Sequence, residues 1–421
     1  MASPEPDLGW LLLPERARLL HIGLMKTGTT ALQNAAAASR PALLEHGVRY
    51  PGRRFNHRYP LMGLLDVRRG WTGPTGTGPT RRNWDALMRE VEADDERRVL
   101  ISHEHASLAN DEKARLLVDA LGPRTHVAVT VRGVQAVLGS AWQQYVKEGM
   151  TDGFHDWLRL VLSDDPDRSV SPAFRSRIRA GAVIDRWASL VGPERVTVVV
   201  VDRARPDLLA HAFEALLGLP RDLLAHATVN GQQANRSLTL PEAEVLRQFN
   251  LTYDRREVPW ADHTALVREG ALQTLLAARV PSPSEPRMPV PAWAADAAVS
   301  HSRRTAATIR ETGVRVVGDL DALTAPVRTS EAPATVDQVA VDVAARLLGG
   351  MFSAARERVH EDRPQRPAAT GPPAPTHGSG EQPPAVSTRQ VATELRTADL
   401  AKALGISVAR GLTRRISPRR R

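Results

Sequence analysis

Gly23 and Gly28 bracket a lysine in the stretch LLHIGLMKTGTTALQNAAAAS, residues 19–39. Lys26 lies between the glycines, and Thr27, Thr29 and Thr30 surround the second. Glycines permit the tight curvature of a loop that turns backbone N–H groups toward an anion. Threonine hydroxyls can donate to phosphate oxygens, and lysine adds a point charge. The chemistry predicted is the holding of a phosphate compound. A standard phosphate loop, G-x-x-x-x-G-K-[ST], places lysine directly after the second glycine. Here threonine stands there, and the lysine is inside the loop.

Further groups of residues could do chemistry. HEH, residues 103–105, offers His103, Glu104 and His105 in LISHEHASL. A carboxylate or an imidazole there can serve as a general base. If the strand runs on through these residues, His103 and His105 face one way and Glu104 the other. Arg132 ends an apolar strand, and Ser140 follows eight positions later in RGVQAVLGS. Arginine gives a forked, charge-assisted contact to an anion, and serine adds a donor. His57, in RRFNHRYPL, is a candidate for the second substrate's site. Trp71 and the Gly/Pro/Thr-rich loop 66–83 can contact the same substrate. Arg236 can close over a nucleotide, although NRSL also fits a helix start capped by Ser237.

The elements that must position these groups follow from periodicity. Segments 17–22, 97–105, 126–132 and 195–202 read as buried strands. Segments 29–46, 116–122, 135–149 and 206–220 read as helices. Alternating strands and helices predict an α/β fold with a parallel sheet. The polar groups fall at the carboxyl ends of the strands, where open α/β sheets bind ligands. The predicted fold is thus a P-loop-like nucleotide-binding core flanked by helices, residues 1–236. A helical extension packed on that core is expected over 237–361. A Pro-rich linker and basic tail, 362–421, are expected to be disordered.

Composition excludes several function classes. The chain has 421 residues, 42% of them hydrophobic, and a net charge of +9. No apolar run approaches the ~20 residues of a membrane span. There is no signal-peptide pattern, and a cytoplasmic location is expected. The absence of cysteine excludes disulfides, thiolate metal sites and cysteine nucleophiles. The last twelve residues, RGLTRRISPRRR, carry six arginines and no acid. Such a tail can touch anionic surfaces, but no specific nucleic-acid partner is expected. The abundance of Arg, Ala and Pro suits a high-GC bacterial genome.

HIGLMKTGTTALQ resembles the 5′-phosphosulfate loop of the sulfotransferase family. The Arg132/Ser140 spacing is similar to the family's clamp on a 3′-phosphate. SAWQQYVKEG, RVTVVVVD and NRSLTLPEAEVLRQFN also look like segments of bacterial members. The resemblance covers roughly residues 18–250. It implies 3′-phosphoadenosine 5′-phosphosulfate (PAPS) as donor, no metal, and transfer of a sulfuryl group to a hydroxyl or amine. The acceptor class, whether glycan, lipid or small molecule, is left open. It further implies that Lys26, Thr27, Gly28, Thr29 and Thr30 hold the 5′-phosphate end. In the same way it assigns the 3′-phosphate to Arg132 and Ser140, and base catalysis to Glu104, with His103 and His105 as alternatives. RGVQ departs from the family's usual acidic residue and proline after the arginine. The competing readings are an ATP-dependent kinase-like phosphotransferase and a non-catalytic nucleotide-binding protein.

Overall fold

The structure is a computed structural model. It describes residues 7–66, 78–163, 172–227, 236–253, 258–330, 336 and 338–361. The Pro-rich linker, the basic tail and Trp71 lie outside these residues.

The fold is α/β. Its strands, in chain order, are β1 (Arg18–His21), β2 (Val48–Arg49), β3 (Arg98–Ser102), β4 (Thr125–Val131), β5 (Val196–Val200), β6 (Val290–Pro291), β7 (Arg315–Val317) and β8 (Thr329–Ser330). Six form one sheet in the order β2-β3-β1-β4-β5-β7, and every pair is parallel. β6 and β8 form a separate two-stranded sheet. A parallel sheet is covered on both faces, so its strands are apolar throughout rather than alternating. VTVVV in β5 is buried at every position. Side chains still alternate between faces. Leu20, Val99, Ile101, Val127, Val129 and Val198 pack with Trp84 and Trp187 on one side. Leu19, Leu100, Ala128 and Val199 pack with Leu32, Leu43 and Phe213 on the other.

From β1 the chain moves to β2 and then β3 on one side, and afterwards to β4, β5 and β7 on the other. The connections after β1 and after β4 therefore leave in opposite directions. The crevice between the carboxyl ends of these two adjacent strands is where such a sheet receives a ligand. The glycine–lysine loop follows β1, and Arg132 follows β4.

Several sequence expectations are corrected here. The helix expected over 29–46 is two, Thr29–Ala38 and Arg40–Glu45, with Pro41 near the start of the second. Proline has no N–H to continue the ladder. The strand expected to reach residue 105 stops at Ser102, and Glu104–Leu108 is a 3₁₀ turn. The helix after NRSL begins at Thr239, whose hydroxyl accepts from the Glu242 N–H in a capping box, so Ser237 is not the cap. Residues 237–361 are not all helical, since β7 joins the main sheet beside β5.

The chain divides into two compact units, Met1–Tyr253 with Pro281–Val339, and Asp254–Val280 with Ala340–Arg421. The described part of the second unit is helical, and Gly270 and Gly350 are in close contact within it. A Cβ added at Gly350 would come within 2.4 Å of the Gly270 carbonyl oxygen. Among the described residues, no helix is long and apolar enough to cross a membrane.

Candidate active site

The loop after β1 stays paired to β4 beyond the strand. The Thr130 N–H donates to the Gly23 carbonyl (2.6 Å), and the Leu24 N–H donates to the Thr130 carbonyl (2.8 Å). The backbone then turns through three left-handed residues, Gly23 (φ 82°), Lys26 (φ 67°) and Gly28 (φ 88°). Glycine takes this conformation at no cost, whereas a lysine there is strained by about 1–2 kcal/mol. Such strain is kept where the surroundings over-determine it, commonly at functional sites.

Two of the loop's threonines are structural in their side chains. The buried Thr27 hydroxyl donates to the Leu24 carbonyl (2.5 Å) and meets the Thr130 hydroxyl at 2.5 Å. Thr29 also donates to the Leu24 carbonyl (3.2 Å). Each hydroxyl has one proton, so these two stitch the loop closed rather than donate outward. Thr30 and Gly28 are exposed at the open end. Gly28 caps the helix Thr29–Ala38 with no side-chain hydrogen bond, and no acid lies in the first turn. The positive end of that helix is open to an anion.

Lys26 Nζ donates to Gln144 Oε1 (3.4 Å), and Gln144 Nε2 donates to Glu148 Oε1 (2.8 Å). Gln144 stands on the helix Leu138–Lys147. The amide thereby turns its oxygen toward the lysine. Arg177, from the helix Pro172–Ile178, donates to the Met25 carbonyl (2.5 Å) beside Lys26. It is buried, which lowers its guanidinium to about 10, and it remains a cation at neutral pH. Sequence reasoning missed both residues. Each lies more than a hundred positions from the loop, and only the fold brings them together.

Arg132 is half-buried just past β4. It makes no hydrogen bond or ion pair with the described residues. Burial and the nearby Arg203 lower its pKa, while Asp202 raises it. An arginine without a partner among the described residues is suited to an anion. The RGVQ turn after it has its own locking contacts. Gln135 donates to the carbonyls of Leu323 (2.7 Å) and Ala325 (2.9 Å), and Ser302 bridges Gln135 Oε1 and the Val134 N–H. A side chain at Gly133 would meet the Leu323 carbonyl oxygen at 2.4 Å. Glycine and glutamine are thus required by packing at this turn. Ser140 lies in the helix that follows, where its hydroxyl donates to the Val137 carbonyl (3.0 Å).

Glu104 enters from β3, the other neighbour of β1. It packs against Gly23, where an added Cβ would come within 2.7 Å of the Glu104 Cβ. Its carboxylate accepts from Gln33 Nε2 at 3.4 Å. The candidate base and the glycine–lysine loop are therefore in direct contact. His103 is buried, its Nδ1 accepts from the His105 N–H (3.2 Å), and its Nε2 is 3.9 Å from Glu104 Oε1. The two imidazoles stack at 4.7 Å between ring centres. The 3₁₀ turn replaces the strand alternation expected for this triplet. Burial lowers the pKa of both histidines and keeps them neutral. One ligand atom from each of His103, Glu104 and His105 lies within 4.8 Å of the others. That limit is wider than the ~3.4 Å implied by tetrahedral bonds of ~2.1 Å.

His57 is not an acceptor-site residue. It is buried, and its ring is fully used. The Ser102 N–H donates to Nδ1 (3.0 Å), which leaves Nε2 to donate to the Pro51 carbonyl (2.9 Å). Arg236 does not reach over the crevice either. It forms a two-pronged pair with the buried Glu242 carboxylate, both contacts at 2.7 Å.

Beneath the loop, His21 lies 2.8 Å from the Ser102 hydroxyl and 3.3 Å from that of Thr130. Burial lowers His21 and His57 each to about 4. Unfolded histidines titrate near ~6.5, so between these values the unfolded chain binds more protons. Stability is therefore full above about pH 6.5 and is lost as pH falls toward 4, at roughly 1.4 kcal/mol per unit for each histidine. Urea unfolding at pH 7 and pH 5 should show the midpoint drop. His57→Gln should flatten that drop, and an unchanged slope would mean that His57 is solvated in the folded chain.

No protein-family model matches the chain, and no curated protein matches it. A similar solved structure is the sulfotransferase from Alicyclobacillus acidocaldarius, at 19% identity and a TM-score of 0.36. The match covers 62% of this chain and 96% of that one.

Proposed function

We propose that the chain transfers a sulfuryl group from PAPS to a hydroxyl or amine of an acceptor. One observation carries the reading. An arginine with no hydrogen bond or ion pair among the described residues after β4, and an open helix N-terminus with a strained lysine after β1, flank the same crevice. That is an arrangement for an anion with charge at two ends, as a nucleotide bearing a 5′-phosphosulfate and a 3′-phosphate is. The residues present fit the donor, since cationic or N–H groups follow both β1 and β4 and no carboxylate lies in the helix's first turn.

When bound, the donor supplies the sulfuryl group and leaves as adenosine 3′,5′-bisphosphate. The helix N-terminus and Thr30 hold the 5′ end, and Arg132 holds the 3′-phosphate. Lys26 neutralises charge that grows on the leaving oxygen. Glu104 takes the acceptor's proton as the acceptor's bond to sulfur forms. Gln144, Arg177 and the buried hydroxyls of Thr27 and Thr29 keep the loop in shape. The lysine's place inside the loop, with threonine after Gly28, favours this reading over a kinase-like one.

Calorimetry without Mg²⁺ tests the assignment. Adenosine 3′,5′-bisphosphate should bind, and Arg132→Ala should weaken it about tenfold or more, the loss of one charge-assisted contact. Adenosine 5′-monophosphate should bind wild type and variant alike. Equal loss for both ligands would remove the 3′-phosphate from Arg132. Binding of ATP only with Mg²⁺, and not of the bisphosphate, would favour the phosphotransferase.

A further inference from the structure

Gln33 is buried on the helix Thr29–Ala38, one turn past the glycine–lysine loop. Its amide is the meeting point of two lines of hydrogen bonds. A glutamine amide can be turned either way, so its direction must come from partners that have no choice. A backbone N–H can only donate, and a backbone carbonyl can only accept.

One line starts at the Arg58 N–H, which donates to Asn56 Oδ1 (3.2 Å). Asn56 Nδ2 is left to donate to Gln33 Oε1 (3.3 Å). Gln33 Nε2 therefore points the other way. The second line ends at the Leu24 carbonyl, which takes the proton of the Thr27 hydroxyl (2.5 Å). Thr130 must then donate to the Thr27 oxygen (2.5 Å) and accept from His21 Nε2 (3.3 Å). His21 is held neutral by burial, so its Nδ1 accepts from the Ser102 hydroxyl (2.8 Å). With its proton spent, the Ser102 oxygen is left as an acceptor, and Gln33 Nε2 donates to it at 3.1 Å. Both lines give the amide the same direction.

An amide nitrogen carries two protons. One serves Ser102, and the other faces Glu104 Oε2 at 3.4 Å. The torsion that turns a carboxylate is soft, so a fixed donor on one oxygen decides where the other lies. Glu104 Oε1 accepts no hydrogen bond among the described residues, and His103 Nε2 is 3.9 Å from it. We propose that Gln33 is a positioning residue for the candidate base: it holds Oε2 of Glu104 and leaves Oε1 to take the acceptor's proton. A reversed amide would set its own oxygen against the carboxylate. The base role of Glu104 rests on the sulfuryl-transfer reading, whereas the direction of the amide does not.

Two measurements test this, one of them independent of any donor. In a chain carrying isotope-labelled glutamine, the Gln33 side-chain amide signal is the one lost in Gln33→Met. It should shift in Glu104→Gln, which removes the charged acceptor, and in Asn56→Ala, which frees the far side of the amide. An unmoved signal in Glu104→Gln overturns the proposal. In single-turnover transfer from labelled PAPS, Gln33→Met should lose about tenfold or more in rate, the worth of a hydrogen bond to a charged group. Binding of adenosine 3′,5′-bisphosphate should not change. The loss should vanish in the Glu104→Gln background, whereas a merely structural role would persist there. Asn56 is half-exposed, so Asn56→Ala keeps the test open where Gln33→Met does not fold. It should slow transfer severalfold in the wild type and not at all in Glu104→Gln. Equal losses in both backgrounds overturn the proposal. A wild type that shows the amide shift but no transfer from PAPS would strike the reading of the reaction and keep the hold on Glu104.

Discussion

Lys26→Ala should fold as wild type and lose about 10²–10³ in turnover. The lysine stands at φ 67° between the two glycines of the loop, with Gln144 and the Arg177–Met25 contact fixing its neighbourhood. Two separate elements thus bear on a residue held in a costly conformation, which motivates its assignment. Its charge matters most where it develops on the leaving oxygen, and removing one such electrostatic group costs about 2.7–4 kcal/mol in the transition state. The donor's ground-state affinity should change less, because the helix N-terminus and Arg132 remain. Lys26→Arg keeps the charge but brings a planar fork, and it should recover only part of the rate. The measurement is single-turnover transfer from labelled PAPS, with circular dichroism as the check on folding. Near wild-type turnover in folded Lys26→Ala would rule out the role.

Glu104→Gln should lower turnover by about 10²–10⁴ while bisphosphate binding stays close to wild type. Glutamine keeps the size and can still accept from Gln33, but it cannot take the acceptor's proton. The position of Glu104 against Gly23 motivates the assignment, since the base must reach the atom that attacks at the loop. His103 is buried with Nδ1 engaged, so His103→Asn should act on stability more than on rate. His105 is the nearer competitor, partly exposed and stacked on His103. Full activity in Glu104→Gln together with an inactive His105→Asn would pass the role to the imidazole and leave the transfer reaction in place.

Local pattern made much of this molecule legible. The four long strands are runs of β-branched and aliphatic residues, and their alternation with helices implies the parallel sheet. The loop after β1 was readable because its backbone turns through left-handed residues, which glycine spacing betrays. Short strands were not. β2 has two residues and β7 three, and neither carries a periodicity that distinguishes it from a turn. They are strands because neighbours in the sheet offer them partners. The split of 29–46 at Ser39, two residues before Pro41, was written in the sequence, yet it was outweighed there by the alanine-rich propensity around it.

Residue types and spacing by themselves determined the glycine–lysine loop, the α/β class and the group of candidates Lys26, Glu104 and Arg132. Tertiary structure decided what each candidate can do. Thr27, Thr29 and His57 have the right chemistry for a ligand, but their polar atoms are spent on Leu24, Thr130, Ser102 and Pro51. Gln144 and Arg177 had no sequence signal, yet they reach the loop across more than a hundred residues. The physical reason is that a hydrogen-bonding group is available only if the fold leaves it unpaired. Pairing over such distances depends on which strands lie side by side, which no local spacing encodes.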